Sequence, residues 1–331
     1  MRVSCTIKTW GLALLLSLFS SATLAAAQVL QLGRAQPYDL LAYSNADPLR
    51  PELAERAVVI VHGVRRNAQD YYAGAQQLLA NAGLGGSAVL LIAPNFLSAD
   101  DSPATEAMPL WPKDQWMQGS ESSAGRRGIA TFSVLDDLLA YLADSRRFPR
   151  LKEVVLIGHS AGAQLMQRYA VLGKAVAGLP VRYVISSPSS YLYLDANRPT
   201  PTGFAALPGK QCPGYNQYRY GLEQPPAYLV SQGLDAKQLF RRYAARNVTY
   251  LVGARDTHAA SRIMDHSCGA QAQGRNRVER QLGYLRYEGF LSRAWAVDIA
   301  HRQFVVPGVG HNATHLLASP QVARWLFPGE H

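Results

Sequence analysis

Cysteine is scarce, with three in 331 residues. That excludes a disulfide-dense miniature scaffold and a cysteine-built zinc module. Acidic residues are in the minority, 23 against 33 Lys and Arg, which leaves a net charge of +10. The surplus is scattered in short pairs such as Arg65-Arg66, Arg126-Arg127 and Arg241-Arg242 rather than gathered into a basic block. With no zinc-finger spacing or RNA-binding signature either, nucleic acid is not an expected partner. The charge instead suits contact with anionic polymers or a cell envelope. The chain has no internal repeat, no low-complexity domain and no signal for an oligomeric state. No apolar run is long enough to cross a bilayer.

What is present begins with a processing signal. Arg2 and Lys8 precede a short apolar core, Trp10 to Phe19, and the small residues Ala25-Ala26-Ala27 follow. Residues 1–27 therefore read as a signal peptide, with the mature chain starting at Gln28 and residing in a periplasm or outside the cell. No cysteine follows the cleavage site, so a lipid anchor and stable membrane insertion are not expected. An uncleaved anchor is the alternative reading. Cys5 leaves with the signal, and Cys212 with Cys268 remains as an even pair in an oxidising compartment, expected to be bonded. Two free buried thiols are the alternative.

Residues 28–331 alternate strand and helix patterns, which predicts one α/β domain with a mostly parallel central sheet flanked by helices. Apolar runs predict strands near 57–61, 88–92, 153–157, 181–186, 248–252 and 302–306, the near-continuous pattern of strands covered on both faces. Helices are expected near 68–82, 131–144, 161–172, 236–245 and 319–327. Residues 28–56 suggest an irregular lead-in with one or two edge strands, Tyr38 to Tyr43 among them. Three insertions interrupt the plan, at about 95–128, 187–233 and 258–296, the last polar and expected to be partly helical.

The richest stretch is Glu153-Val154-Val155-Leu156-Ile157-Gly158-His159-Ser160-Ala161-Gly162. A buried-strand pattern ends in Gly-x-Ser-x-Gly and a helix pattern follows, which is the strand, sharp turn and helix that lift a serine hydroxyl clear of a sheet. A serine hydroxyl is a poor nucleophile at neutral pH. It needs a histidine to take its proton, a carboxylate to orient that histidine, and N–H donors for the oxyanion. The chain order for this arrangement is Ser, acid, His. Asp256 follows the strand pattern ending at Gly253, and His311 lies in the glycine-rich loop Pro307-Gly308-Val309-Gly310-His311. Asp195 and Asp265 are substitutes for the acid, and His315 and His301 for the base. His311 and His315 are four apart and could pair on a metal, but no Glu lies between them and no third ligand is evident, so no metal and no organic cofactor is expected. Oxyanion donors are expected from the N–H groups of Ala161 and of Val64, the latter following strand and loop Ala57 to Gly63. His62 reads as a brace for that loop.

These residues carry a resemblance. His62-Gly63, Gly158-His159-Ser160-Ala161-Gly162, Gly253-Ala254-Arg255-Asp256 and Gly308-Val309-Gly310-His311 together resemble a secreted α/β-hydrolase-fold serine hydrolase, over about residues 57 to 327. His62-Gly63-Val64 through Asn67-Ala68 and Tyr71-Tyr72 is similar to the oxyanion region of polyhydroxyalkanoate depolymerases and feruloyl-type esterases. Two departures stand out. Val64 occupies a place where those enzymes commonly carry Cys, and the interval from Asp256 to His311 is longer than usual.

The resemblance and the triad order together imply a carboxylic-ester hydrolase acting on a small ester, a lipid or a polyester. A serine peptidase or amidase would use the same triad, although no propeller-like repeat points to a large oligopeptidase. A catalytically inactive binding protein on the same scaffold is the non-enzymatic reading. Ligands of open α/β sheets bind beyond the carboxyl ends of the strands. Trp111, Trp116 and Tyr191, in the insertions, are therefore candidates to contact substrate, with packing onto the core as their other reading.

Overall fold

The structure is a computed structural model that describes residues 26–46, 51–86, 88–174, 176–208 and 210–329. The expected signal peptide lies outside these residues, except for Ala26 and Ala27. In chain order the first half forms β1 (Ala26–Leu32), β2 (Tyr38–Ser44), β3 (Arg56–Val61), α1 (Ala68–Asn81), β4 (Val89–Pro94), β5 (Pro109–Leu110), β6 (Ala124–Gly125), α2 (Thr131–Leu142), β7 (Glu153–His159) and α3 (Ala161–Leu172). The second half forms β8 (Val181–Ser186), β9 (Asn197–Thr200), β10 (Gly203–Ala206), α4 (Ala227–Val230), α5 (Ala236–Ala244), β11 (Asn247–Gly253), α6 (Cys268–Gln271), α7 (Arg277–Trp295), β12 (Arg302–Val306), α8 (Ala313–Leu317) and α9 (Pro320–Leu326). Each of the six core strands and five helices expected from sequence is present, with ends within two residues of expectation.

Eight strands make one sheet in the order β1-β2-β4-β3-β7-β8-β11-β12. β1 and β2 run antiparallel at one edge, and β4 through β12 are parallel. The lead-in is thus a regular hairpin that includes Ala26 and Ala27, which pair with Ser44 and Tyr43. The unbroken apolar runs follow from burial on both faces. On β3, Ala57, Val59 and Val61 face the layer holding α2, α3, α5 and α7, while Val58 and Ile60 face α1, α8 and α9. Strands β7, β8 and β11 divide in the same period of two.

The register brings five strand ends to one edge. Val61 lies opposite Gly158, His159 opposite Ser186, and Gly253 opposite Val306. The loops that leave these ends carry His62 to Val64, Ser160, Asp256 and His311, so their convergence is built into the sheet.

All three insertions gain secondary structure and cover the α3 face. The first holds the β5–β6 hairpin, the second the β9–β10 hairpin and α4, and the third α6 and α7. They are received by polar side chains on α3, a helix whose residues are all buried. Gln164 donates to Ser189 Oγ at 3.0 Å, Gln167 donates to Tyr284 Oη at 2.9 Å, and Arg168 donates to the Met117 carbonyl and Ser190 Oγ at 3.3 and 3.1 Å. These contacts satisfy groups that would otherwise be costly to bury. Cys212 and Cys268 lie at disulfide-bonding distance, with Cα atoms 5.7 Å apart, joining the second insertion to the third.

Candidate active site

Ser160 stands between β7 and α3 with φ 58° and ψ −115°. That backbone is unusual for a residue with a side chain and is held by its surroundings. A Cβ on Gly158 would come within 2.2 Å of the Gly162 carbonyl oxygen, and one on Gly162 within 2.5 Å of the Val61 oxygen. The two glycines therefore let the turn close against the neighbouring strand, and the Ser160 N–H bonds back to the Ser186 carbonyl at 2.9 Å. Ser160 is also the N-cap position of α3, so its hydroxyl lies at the positive end of a helix.

The three residues picked out by chain order meet. His311 Nε2 is 2.9 Å from Ser160 Oγ, and His311 Nδ1 is 2.8 Å from Asp256 Oδ2. Nδ1–H donates to the carboxylate, which leaves Nε2 as an acceptor for the serine hydroxyl. Asp256 is buried, at 3% exposure, while the His311 side chain keeps 13% and reaches solvent. Burial would push the Asp256 carboxyl up. The His311 hydrogen bond and the neighbouring Arg277 guanidinium outweigh that effect and hold it below the usual carboxylate range. Gly253 matters for the approach of the two loops, since a Cβ there would strike the Val309 carbonyl oxygen at 2.4 Å.

The substitutes lie elsewhere in the network. Asp195 accepts from Tyr287 Oη and Asn197, and His301 is paired with buried Glu288. His315 is exposed on α8, where its N–H is capped by Asn312. Asp265 lies nearer the nucleophile, but Arg219 and Tyr220 hold it, each at 2.8 Å.

The donors expected for an oxyanion flank Ser160. Val64 and Ala161 line the space around it, and neither N–H bonds to another backbone group among the described residues. His62 braces this loop as expected. Its Nδ1–H donates to the Gly63 carbonyl at 2.8 Å and its Nε2 accepts the Phe96 N–H at 3.0 Å. Burial pushes its pKa down to about 4, so it stays neutral.

Two open clefts, each about 340 Å³, share Ser160. One also holds His311, Tyr71, Asn67, Asp70 and Thr314. The other holds Ala161, Gln164, Ser189, Arg219, Arg262 and Asp265. Val64 and Ile263, exposed apolar residues, line both. Trp111, Trp116 and Tyr191 line neither and are at most 1% exposed. The expectation that they face substrate is corrected here: they are packing residues. Trp116 and Trp111 pack against Phe96, and Tyr191 stacks on Tyr284. Aromatic bulk in an insertion signals a buried anchor as readily as a binding surface.

Sequence reasoning missed three neighbours of the site. His159, the variable residue inside Gly-x-Ser-x-Gly, stacks on the His311 ring with centroids 4.8 Å apart, and burial pushes its pKa well down, so it is a neutral platform. Tyr71 presents its hydroxyl to Gly63, where a Cβ would come within 2.5 Å of it. Arg277 contacts the second oxygen of Asp256 at 3.3 Å. Only Tyr71 carried a signal, through the motif similarity of its segment. The other two have none that spacing could reveal.

Comparison with solved structures places this geometry in context. The chain is similar to a poly(3-hydroxybutyrate) depolymerase from Bordetella parapertussis, at 22% identity and a TM-score of 0.62, over 92% of this chain and 91% of that one. It is similar to a poly(aspartic acid) hydrolase from Sphingomonas sp. KT-1, at 19% identity and a TM-score of 0.63, over 91% and 97%. These likenesses are of fold. No curated protein matches by sequence. The sequence profile described as "Alpha/beta hydrolase family" matches residues 58–325, which include every residue of the site, and the chain belongs to that family.

Proposed function

We propose that the protein is an exported serine hydrolase that cleaves carboxylic esters through an acyl-enzyme. The observation that carries this reading is the continuous hydrogen-bonded chain from Asp256 through His311 to Ser160, set at the mouth of two clefts. Ser160 Oγ attacks the ester carbonyl as His311 Nε2 takes its proton. A C–O bond forms, and the carbonyl electrons move onto the oxygen. The N–H groups of Val64 and Ala161 then stabilise that oxyanion. As the tetrahedral species collapses, the bond to the leaving oxygen breaks and His311 returns its proton to the departing alcohol. Water repeats the sequence, with His311 as base, and releases the acid. Asp256 holds the imidazole in the tautomer that accepts from serine and supports its charge during transfer.

The clefts sort the substrate. Protonation of the alcohol comes from His311, so the cleft that holds His311 takes the leaving group. The cleft with Ala161, Gln164 and Ser189 then takes the acyl part. Its Arg219, Arg262, Asp114 and Asp265 make it polar and ionic, which favours a short, hydrogen-bonding acyl group over a long alkyl chain. The lipid reading is accordingly the weaker of the three ester classes. The complete triad geometry also weighs against an inactive binding scaffold.

The test is hydrolysis of p-nitrophenyl esters of increasing acyl length by the wild type and Ser160→Ala, with p-nitroanilides alongside. We expect acetyl and butyryl esters to exceed palmitoyl by at least about tenfold in kcat/KM. We also expect Ser160→Ala to lose on the order of 10⁴-fold or more in kcat. Ester turnover retained by Ser160→Ala would overturn the assignment. Anilide turnover exceeding that of esters would favour an amidase.

A further inference from the structure

The carboxylate of Asp256 accepts two hydrogen bonds among the described residues, one from His311 and one from Arg277. Arg277 opens α7, in the insertion that lengthens the interval between acid and base. Its side chain is 1% exposed. Its Nη2 donates to the Ile263 carbonyl at 3.0 Å, and its Nε has no hydrogen-bond partner among the described residues. Asp256 is its one ion-pair partner among those residues. Asn276, which caps α7 by accepting the Glu279 N–H, fixes where the arginine starts. A desolvated unit charge is thus held against the same carboxylate that orients the base.

Resting on the serine-hydrolase reading above, we propose that Arg277 is a positioning residue of the active site. It balances the charge of Asp256 at rest, so that the carboxylate orients the His311 imidazole without itself taking up a proton. A buried carboxylate beside an imidazole has two ways to relieve its charge: it can bind a proton itself, or hold one on the histidine. Either outcome removes the base. A guanidinium on the opposite oxygen supplies the balancing charge without occupying Nε2. The titratable groups acting on Asp256 are His311, Arg277 and His159. His159 faces the pair from the end of β7 and is kept neutral by burial, so the fixed positive charge comes from α7.

The sign follows. Removing the cation lets Asp256 hold a proton on His311 more tightly, so the acidic limb of the kcat/KM profile moves to higher pH. The experiment measures that profile on p-nitrophenyl acetate for the wild type, Arg277→Gln and Arg277→Lys. Far-UV circular dichroism and thermal unfolding report the folded fraction. Gln keeps a hydrogen-bond donor but no charge, and its limb should move alkaline by about one pH unit, a loss of about tenfold at a fixed pH on the limb. KM should change by less than about threefold. Lys keeps the charge, and its limb should stay within about 0.3 unit of wild type. In Arg277→Ala, added methylguanidinium should restore activity at pH 6 by at least about fivefold, which a merely structural role would not show. Coincident limbs for Gln and Lys, or activity lost only with the folded fraction and without rescue, would overturn the proposal. Fluorophosphonate labelling separates the two levels. Absence of a Ser160 adduct in the wild type defeats the triad reading itself, whereas a labelled wild type with an unmoved Gln limb defeats the Arg277 inference alone.

Discussion

Ser160 depends on what its neighbours omit. Gly162 has no room for a methyl group, since a Cβ would sit 2.5 and 2.6 Å from the Val61 and His62 carbonyl oxygens. Gly162→Ala should cost about 1–3 kcal/mol, the range of an overpacked site, and should lower kcat by pushing the turn off β3. Urea unfolding and ester assays check both parts. His62 yields a prediction about pH. Its folded pKa of about 4 lies below the ordinary value of 6.5 because burial disfavours the cation. The unfolded chain therefore binds the proton first as pH falls. The His62 contribution is present above about pH 6.5 and is lost progressively down to about pH 4, amounting to roughly 3 kcal/mol over that window. Unfolding midpoints measured from pH 7.5 to 4.5 should fall on that side. A midpoint that stays flat or rises would show that His62 ionises freely in the folded state.

At the scale of elements, the link between insertions is the clearest test. Cys212 and Cys268 are 56 residues apart, so closing that loop should stabilise the fold by about 4 kcal/mol in the chain-entropy description. Thiol titration of denatured, unreduced mature protein should find none, and reduction should lower the unfolding midpoint. Two titratable thiols would refute the bond. Elements also show where the sequence was legible. The sheet strands announced themselves because both of their faces are apolar. The α3 helix did so because it follows a Gly-x-Ser-x-Gly turn. The longest described helix, α7, was legible only as a partly helical insertion at 258–296, without bounds or a buried face. Its buried stripe is Arg277, Arg280, Gln281, Tyr284, Tyr287, Glu288 and Leu291, at helical spacing but mostly polar. Hydrophobic periodicity cannot see such a stripe. What buries it is partner chemistry remote in sequence: Glu288 accepts from Tyr243 and Tyr250, and Arg280 donates to the Asp265 carbonyl. The same cause hid Arg277 and misdirected the reading of Trp111, Trp116 and Tyr191. Their surroundings are supplied by insertions whose packing no local pattern encodes.

For the whole molecule, topology does the assembling. Five parallel strands end on one edge, and loops from three of them deliver Ser160, Asp256 and His311 across 151 residues of sequence. The order of the proposed triad along the chain could be read because this architecture brings serine, acid and histidine in that sequence. The clefts could not, since they form between the β3–α1 loop, the β12–α8 loop and all three insertions. Among the described residues no helix is long and apolar enough to cross a membrane. Removing residues 1–27, which hold Arg2 and Lys8 and no acid, takes the net charge from +10 to +8, available for attraction to anionic material. The central claim, an activated Ser160, is tested most directly by treating folded mature protein with a fluorophosphonate probe and locating the adduct by mass spectrometry. We predict a single adduct on Ser160 that is lost in His311→Ala. A folded protein with no adduct on Ser160, or one labelled equally without His311, would contradict the account.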